Sequence, residues 1–216
     1  MKNTYPLRSI NVAKIVTKTY GDKVFSTAVN KMPVLDEVLI TRIGIQGDEQ
    51  TPEYHGGEEK ALCLYADDHR DFWLNYGVSF LQEGALFGEN LSSIGLIEDE
   101  ACIGDVYSLG QAVIQIAQPR IPCYKIAAKY GLSDLASVMA KEGNTGFLFR
   151  VLKEGVASVQ DPLILQERHP LRVSVSQVNR VMYHDDQASI ERVLSVDALS
   201  ESFRREVEKR KEAKKN

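Results

Sequence analysis

Cysteine is scarce in this chain of 216 residues. The three cysteines are Cys63, Cys102 and Cys123, and no two of them have the Cys-x-x-Cys spacing of a redox or zinc motif. The four histidines also lack the i,i+4 pairing of a helical zinc site. We therefore expect neither a disulfide framework nor a histidine-based metal centre.

Long hydrophobic runs are missing as well. No apolar stretch approaches the roughly 20 residues of a membrane-spanning helix, and residues 1–20 carry scattered lysines without a continuous apolar segment. These features predict a cytoplasmic protein with no signal peptide and no membrane partner. The net charge of −4 is uneven, because residues 201–216 hold seven Lys or Arg against four Glu. The body that remains is acidic, which disfavours binding to a nucleic-acid backbone.

Sequence signatures of common redox and nucleotide cofactors are also missing. The chain has no Gly-x-Gly-x-x-Gly motif and no Walker loop, so neither dinucleotide nor nucleoside triphosphate binding is indicated. It has no flavin, haem or iron–sulfur signature either. Any redox reaction of this chain would therefore take its electrons from a separate protein.

Apolar runs of strand length, punctuated by glycines, fill the first two thirds of the chain. Strands are predicted over residues 10–17, 34–43, 61–65, 106–109, 112–117, 147–151 and 163–166. Helices are predicted over residues 66–76 and 132–141, and three short ones near residues 175–182, 190–194 and 203–207. This order predicts a mostly β protein with helices (α+β), in which a barrel or folded sheet over residues 1–166 precedes a helical extension over residues 167–216. Helices this short bury little alone, so we expect them to dock on the barrel or on a second copy of the chain, as in a homodimer.

Residues 118–125 read Gln-Pro-Arg-Ile-Pro-Cys-Tyr-Lys and contain the strongest functional pattern. Pro119 and Pro122 restrict the backbone on both sides and hold the segment extended. Arg120 and Lys125 place positive charge near Cys123, and nearby cations favour the thiolate, which is both a nucleophile and a soft metal ligand. The pattern also fits a small, buried cysteine that ends a strand.

A second candidate group lies in the sequence Tyr-His-Gly-Gly that ends at Gly57. Gly56 and Gly57 would let the backbone approach a ligand and expose amide donors. His55 and Lys60 could add side-chain donors for an anionic or heteroaromatic group. The same glycines would also suit a tight turn.

Two further polar sites are candidates for binding. Glu89 and Asn90 pair a carboxylate with an amide, which could read the donor and acceptor edge of a purine or pterin, or form a turn with an Asx cap. Arg150 is a cation on an otherwise apolar strand and would suit a phosphate, a carboxylate or a buried ion pair. Cys63, inside an apolar strand, and Cys102, before a Gly-Asp turn, are interpreted as structural.

Taken in order, these motifs resemble the MOSC domain, which is named for the C-terminal domain of molybdenum cofactor sulfurase. The resemblance depends on Gly47-Asp48, His55-Gly-Gly57, Lys60-Ala61, Gly88-Glu-Asn90, Gly104-Asp105 and Pro119-Arg-Ile-Pro-Cys123. The last helices resemble the three-helix extension of the bacterial subgroup that detoxifies N-hydroxylated purines. Together the two resemblances cover most of the chain.

The resemblance implies a distorted β-barrel that carries a molybdenum cofactor, a molybdopterin in its mononucleotide or dinucleotide form. Cys123 is similar to the family cysteine that binds molybdenum, so it is the expected catalytic residue and metal ligand. The pterin and its phosphate would be held by His55, Gly56, Gly57, Lys60, Glu89, Asn90, Arg120 and Arg150.

Three functions are compatible with these residues. The first is a molybdenum-dependent oxidoreductase that reduces N-hydroxylated bases such as 6-hydroxylaminopurine, with a separate reductase as its electron donor. The second is a sulfur carrier that holds a persulfide on Cys123. The third is a module that binds or delivers the cofactor without turnover.

Overall fold

The computed structural model describes residues 3–50, 56–79 and 84–213, and its strands end at Glu167. In chain order the strands are β1 (Thr4–Tyr5), β2 (Leu7–Val12), β3 (Val16–Tyr20), β4 (Lys23–Thr27), β5 (Met32–Pro33), β6 (Val38–Thr41), β7 (Gly44–Ile45), β8 (Leu62–Ala66), β9 (Leu91–Ser93), β10 (Val106–Leu109), β11 (Ala112–Pro119), β12 (Phe147–Lys153), β13 (Gly155–Ala157) and β14 (Leu163–Glu167). The helices are α1 (Arg70–Asn75), α2 (Tyr124–Tyr130), α3 (Leu135–Glu142), α4 (Val175–Tyr183), α5 (Ile190–Leu194) and α6 (Glu201–Ala213). The prediction of an α+β fold with a helical C-terminal region is confirmed.

Nine strands form the main sheet, in the order β1-β14-β10-β11-β12-β8-β9-β2-β5. All neighbouring pairs are antiparallel except β8 and β9, which run parallel. The other strands form a three-stranded sheet, β13-β6-β7, and the hairpin β3-β4. Alternation along β11 buries Ala112, Ile114 and Ile116 completely, so this central strand carries a large share of the core.

The main sheet is open, which corrects the predicted barrel. A barrel closes only when its first and last strands pair with each other. In the described residues the two edges are β1 and β5, each two residues long, and they pair with β14 and β2. Short edge strands offer few backbone groups for further pairing, in agreement with an open sheet.

The predicted strand over residues 10–17 is interrupted, and two loop carboxylates explain the break. Asp48 accepts a hydrogen bond from the backbone amide of Ala13 (2.8 Å), and Glu49 accepts one from the amide of Ile15 (2.8 Å). The backbone between these residues is therefore bound to a loop instead of a neighbouring strand. The chain resumes as β3, which turns back through Gly21 into β4.

Three helices follow the last strand, as predicted. Helix α4 begins with a capping box, in which the Ser174 hydroxyl accepts from the Gln177 amide and the Gln177 side chain accepts from the Ser174 amide. Among the described residues, no helix combines the length and the apolar character that a membrane span requires.

Two hydrophobic clusters form the interior. The larger one joins the main sheet to α4, α5 and α6, so that Phe149 of β12 and Phe203 of α6 belong to the same core. The smaller one gathers α1, α2 and α3 around Trp73, whose indole nitrogen donates to the Tyr65 hydroxyl (2.6 Å). The predicted boundary between a domain of residues 1–166 and a helical extension of residues 167–216 stays a prediction.

Candidate functional site

A cavity of about 890 Å³ lies where the end of β11, the hairpin β3-β4 and the loops near residues 50 and 88 meet. Its size falls within the range of roughly 300–1,000 Å³ that is usual for small-molecule sites. Five residues that the sequence analysis selected line it: Gly56, Lys60, Asn90, Arg120 and Cys123. The structure therefore brings together parts of three of the four polar candidates, namely the 118–125 segment, the His-Gly-Gly segment and the Glu89-Asn90 pair.

Cys123 lies at the cavity, immediately before α2. Its backbone is extended, with φ −130° and ψ 163°, and the chain enters the helix at Tyr124. Pro119 ends β11, so the three residues between the strand and Cys123 span a short, restricted connection. The thiol is half-buried, which leaves it accessible from the cavity.

Arg120 supplies an unused donor to the cavity wall. One guanidinium nitrogen, Nη2, donates to the carbonyl oxygen of Phe87 (2.6 Å). The other, Nη1, is buried and has no hydrogen-bond partner in the described part of the chain. Burial alone lowers the pKa of Arg120, but the facing thiols of Cys63 and Cys123 and the Glu89 carboxylate raise it above its ordinary value. Arg120 thus keeps a charged, unsatisfied donor for an anion or a carbonyl oxygen.

Lys31 and Asp48 form a buried ion pair at the floor of the cavity. The Lys31 ammonium lies 2.5 and 2.6 Å from the two carboxylate oxygens, and the side chains are only 6% and 2% exposed. Asp48 also accepts from the side-chain amide of Asn90 (2.8 Å). Lys31 lines the cavity and brings a second cation to it.

Asn90 is fixed by its neighbours. Its side-chain oxygen accepts from the amide of Cys63 (3.2 Å), and its side-chain nitrogen donates to Asp48 and to the carbonyl of Asn11 (3.2 Å). These bonds occupy both amide hydrogens. Asn90 therefore holds the strand ends β8 and β2 in place at the cavity, and its remaining acceptor capacity is what a ligand could use.

Glu89 does not line the cavity but holds in place a loop that does. The completely buried carboxylate accepts from the amides of Leu86 (2.7 Å) and Phe87 (2.8 Å) and from the Ser92 hydroxyl (2.9 Å), and it is not among the cavity-lining residues. These bonds fix the loop whose Phe87 carbonyl receives Arg120. The adjacent Gly88 has φ +85°, and a Cβ there would lie 3.0 Å from the carbonyl oxygen of Val29. Only glycine brings the backbone this close.

Gly57 and Arg150, two further predicted residues, do not line the cavity. Gly57, at φ +88°, precedes the short 3₁₀ helix Glu58–Lys60, and only Gly56 and Lys60 line the cavity. Arg150 does not line it: its guanidinium pairs with Glu59, with Nε 3.0 Å from the carboxylate, and donates to Gln115 (2.8 Å). Arg150 therefore anchors the 3₁₀ helix to the sheet. His55 lies outside the described residues.

Cys63 also lines the cavity, although the sequence analysis interpreted it as structural. It lies on β8 between Leu62 and Leu64, which are completely buried, so strand alternation turns its side chain to the opposite face. This alternation is the sequence signal that could have identified Cys63 as facing away from the core. Burial raises the pKa of Cys63 to about 11, which keeps it a neutral thiol near pH 7. Cys102 is buried elsewhere, 3.2 Å from Nη1 of Arg168.

Family comparison agrees with this geometry. A model of the MOSC domain matches residues 51–164, more than half of the chain. The chain belongs to the MOSC domain family. A second model, of a YiiM-like 3-alpha helix domain, matches residues 173–213, which contain α4, α5 and α6.

Individual relatives are similar to this chain over most of its length. YflK of Bacillus subtilis is 41% identical over 211 residues, 96% of this chain and 95% of YflK. The crystal structure of YiiM from Geobacillus stearothermophilus is 37% identical, with a TM-score of 0.80 over 96% of this chain and 99% of that one. A protein of Gibberella moniliformis named "Reductase" is 31% identical over 179 residues, 82% of this chain but only 32% of its own length.

Proposed function

We propose that this MOSC protein holds a molybdenum cofactor through Cys123 and reduces N-hydroxylated bases, such as 6-hydroxylaminopurine, to amines. The observation that carries the proposal is the cavity itself. It places an accessible thiol and an unsatisfied guanidinium donor, that of Arg120, in one space of about 890 Å³. Family membership supports the binding of a molybdenum cofactor.

The donors of the cavity suit such a cofactor. A thiolate is a soft ligand that fits a transition metal, and Cys123 provides it. A pterin with a phosphate needs cations and hydrogen-bond donors, and Lys31, Lys60 and Arg120 line the same space. Gly56 exposes its backbone to the cavity, and a side chain does not fit at this position, because a Cβ would lie 2.8 Å from the side-chain oxygen of Gln50. A sulfur carrier would need only the accessible thiol, so the size and the cations of the cavity favour cofactor binding.

The proposed reaction takes up two electrons and two protons for each N–OH group. The N–O bond breaks, one proton forms a new N–H bond in its place, and the other joins the leaving hydroxyl, which departs as water. A bound molybdenum cofactor supplies two-electron oxygen-atom transfer of this kind. The residues of this chain would hold the cofactor and orient the substrate.

The electrons would come from a separate protein, since the chain has no sequence signature of a flavin, haem or iron–sulfur centre. The Gibberella relative supports a redox role, because it is named a reductase and matches this chain over about a third of its length. A chemical donor such as dithionite with a viologen can replace the partner in an assay.

The first test is elemental analysis for molybdenum, with pterin fluorescence, on protein purified without oxygen from a host that makes the cofactor. We expect molybdenum in the wild type and its loss in Cys123→Ser, because a hydroxyl is a poor soft-metal ligand. Cys102→Ser is the matched control: it changes a buried thiol outside the cavity and should keep the metal.

The outcomes separate the three functions. Molybdenum that depends on Cys123, with reduction of 6-hydroxylaminopurine, supports the proposal. Molybdenum without turnover would favour a delivery module. A folded wild type without molybdenum would overturn the proposal, and a persulfide on Cys123, detected by mass spectrometry, would then identify a sulfur carrier.

A further inference from the structure

The cavity has two chemically different regions. The floor is polar and buried, with Lys31, Asn90 and the orphaned donor of Arg120. The mouth is apolar and open to solvent: Ile121 is 47% exposed and Tyr124 is 46% exposed, although both are large hydrophobic residues. Apolar side chains left exposed at the mouth of a polar cavity indicate a ligand that covers them.

Two aromatic rings form the centre of the mouth. Phe25 comes from β4 and Tyr124 from the first turn of α2, and their ring centroids lie 5.3 Å apart at an interplanar angle of 71°. In an edge-to-face pair, the ring that offers its edge keeps both faces free of its partner. The Lys23 ammonium lies over one face of the Tyr124 ring, 5.9 Å from its centroid, so this cation borders the pair on that side. The two rings therefore form an apolar corner that lines the cavity, in which a flat ligand ring can stack on one ring and contact the other.

The pair also lies at a defined place relative to the reactive thiol. Tyr124 follows Cys123 directly in the sequence, and both side chains line the cavity. A flat ring stacked on this pair would extend a substituent into the space that the thiol of Cys123 faces. A compound without a flat ring could not stack on these aromatic rings.

We propose that Phe25 and Tyr124 form the binding site for the ring system of a flat heteroaromatic substrate. This inference rests on the proposed function, and it deepens that function by naming the residues that select the substrate class. Aromatic stacking accepts any base, since every base has a π-face. The site therefore selects for a flat ring and discriminates little between purines and pyrimidines.

The hairpin that carries Phe25 also provides a matched control. In the described residues β3 and β4 pair only with each other, so substitutions there leave the main sheet intact. Val24 precedes Phe25, and strand alternation directs its side chain to the opposite face. Val24 is 69% exposed and does not line the cavity. Val24→Ala therefore removes apolar surface from the same strand without touching the site.

The kinetic test compares two substrates that share the N–OH group. One is 6-hydroxylaminopurine; the other is N-methylhydroxylamine, which has no ring. We expect Phe25→Ala to raise KM for the purine about tenfold, the effect of losing one base-stacking contact, with kcat unchanged. KM for N-methylhydroxylamine should not change, Phe25→Trp should restore the purine KM, and Val24→Ala should behave as wild type.

Binding of adenine separates this inference from the proposed function, because adenine has the ring system but no N–OH bond. Titration calorimetry on the protein as purified should show binding to wild type and Val24→Ala, and at least about tenfold weaker binding to Phe25→Ala. That result supports the inference even if neither hydroxylamine is reduced, which would defeat only the proposed function. A purine KM unaffected by Phe25→Ala, equal changes for both substrates, or adenine binding that is absent or independent of Phe25 would overturn the inference.

Discussion

Asp48 connects three segments that form the cavity floor. One carboxylate accepts from the ammonium of Lys31, from the backbone amide of Ala13 and from the side chain of Asn90. Both members of the ion pair are almost completely buried, so neither charge can be compensated by water if its partner is removed. The fold therefore depends on Asp48 at the place where the cavity needs its shape.

Replacing Asp48 by alanine should strongly destabilise the protein. The change leaves the Lys31 ammonium buried and unpaired, so we expect the free energy of unfolding to fall by about 3–5 kcal/mol. Urea denaturation measures it. Glu49→Ala is the control: it removes an exposed pair with Lys14 and an acceptor for the Ile15 amide, so we expect a much smaller loss than for Asp48→Ala. Adding Lys31→Met to Asp48→Ala should recover part of the loss; an unchanged loss would contradict the explanation.

Lys129 should make stability rise with pH in a defined window. Burial lowers the pKa of Lys129 to about 8 from an ordinary 10.5. Below pH 8 the ammonium is charged in both states, and the cost of burying it is fully present. Between pH 8 and 10.5 the folded protein has lost this proton while the unfolded chain still holds it, so the free energy of unfolding rises with pH.

The variant Lys129→Met should remove that contribution. Urea unfolding at pH 8, 9 and 10 would show a smaller increase in stability than in wild type, and Lys141→Met, at an exposed position of α3, should keep the wild-type slope. Parallel slopes for wild type and Lys129→Met would show that Lys129 does not titrate in this window.

Sequence reasoning selected residues by local pattern, and it missed those that only packing brings to the cavity. The proline and cation pattern around Cys123 is local, and the structure places Arg120 and Cys123 in one cavity. Lys31 carries no local signal, because only the folded chain brings it to the cavity. For Arg150, an isolated cation on an apolar strand, the sequence predicted a partner that could be a phosphate, a carboxylate or a buried ion pair, and the MOSC resemblance implied cofactor binding. The structure supplies one within the chain, Glu59.

At the scale of elements, hydrophobic periodicity predicted the strands and helices that bury one face and expose the other. Strand β10 has the predicted bounds, Val106–Leu109, with alternating burial. Helix α2 was missed because only Ile126 and Ala127 are buried in its seven residues, too few for a clear helical period. The hairpin β3-β4 was missed because its strands are largely exposed on both faces, so its alternation carries little hydrophobic contrast.

The capping box of α4 should be worth a measurable amount of stability. Ser174→Ala removes the acceptor for the Gln177 amide at the start of the helix, and we expect the free energy of unfolding to fall by about 1 kcal/mol. Ser176→Ala in the same turn is the control, since its hydroxyl accepts from the exposed Arg180 side chain (3.0 Å) and caps no backbone amide of the described residues. Equal effects of the two substitutions in urea denaturation would contradict a specific cap.

At the scale of the whole molecule, the C-terminal helices are bound to the strand that leads to Cys123. The Ser200 amide donates to the carbonyl of Ala117 (2.9 Å), and its hydroxyl donates to the side chain of Gln118 (2.6 Å), which lines the cavity. Phe203, one turn further along α6, is buried in the core that contains the main sheet. The helical region therefore supports the site as well as completing the core.

A shared core predicts that sheet and helices unfold together. Phe203→Ala removes a side chain that is 1% exposed, so we expect a loss of about 3–5 kcal/mol in the free energy of unfolding. Trp73 is the only tryptophan and lies in the smaller core cluster, so its fluorescence reports on a region distant in sequence from Phe203. Far-ultraviolet circular dichroism follows the helices, and most helical residues are in α4, α5 and α6. Both signals should shift to lower urea by the same amount in the variant and coincide in one transition, as a single cooperative unit requires. An earlier loss of the helical signal, with tryptophan fluorescence unchanged, would instead make residues 167–216 an independently unfolding domain.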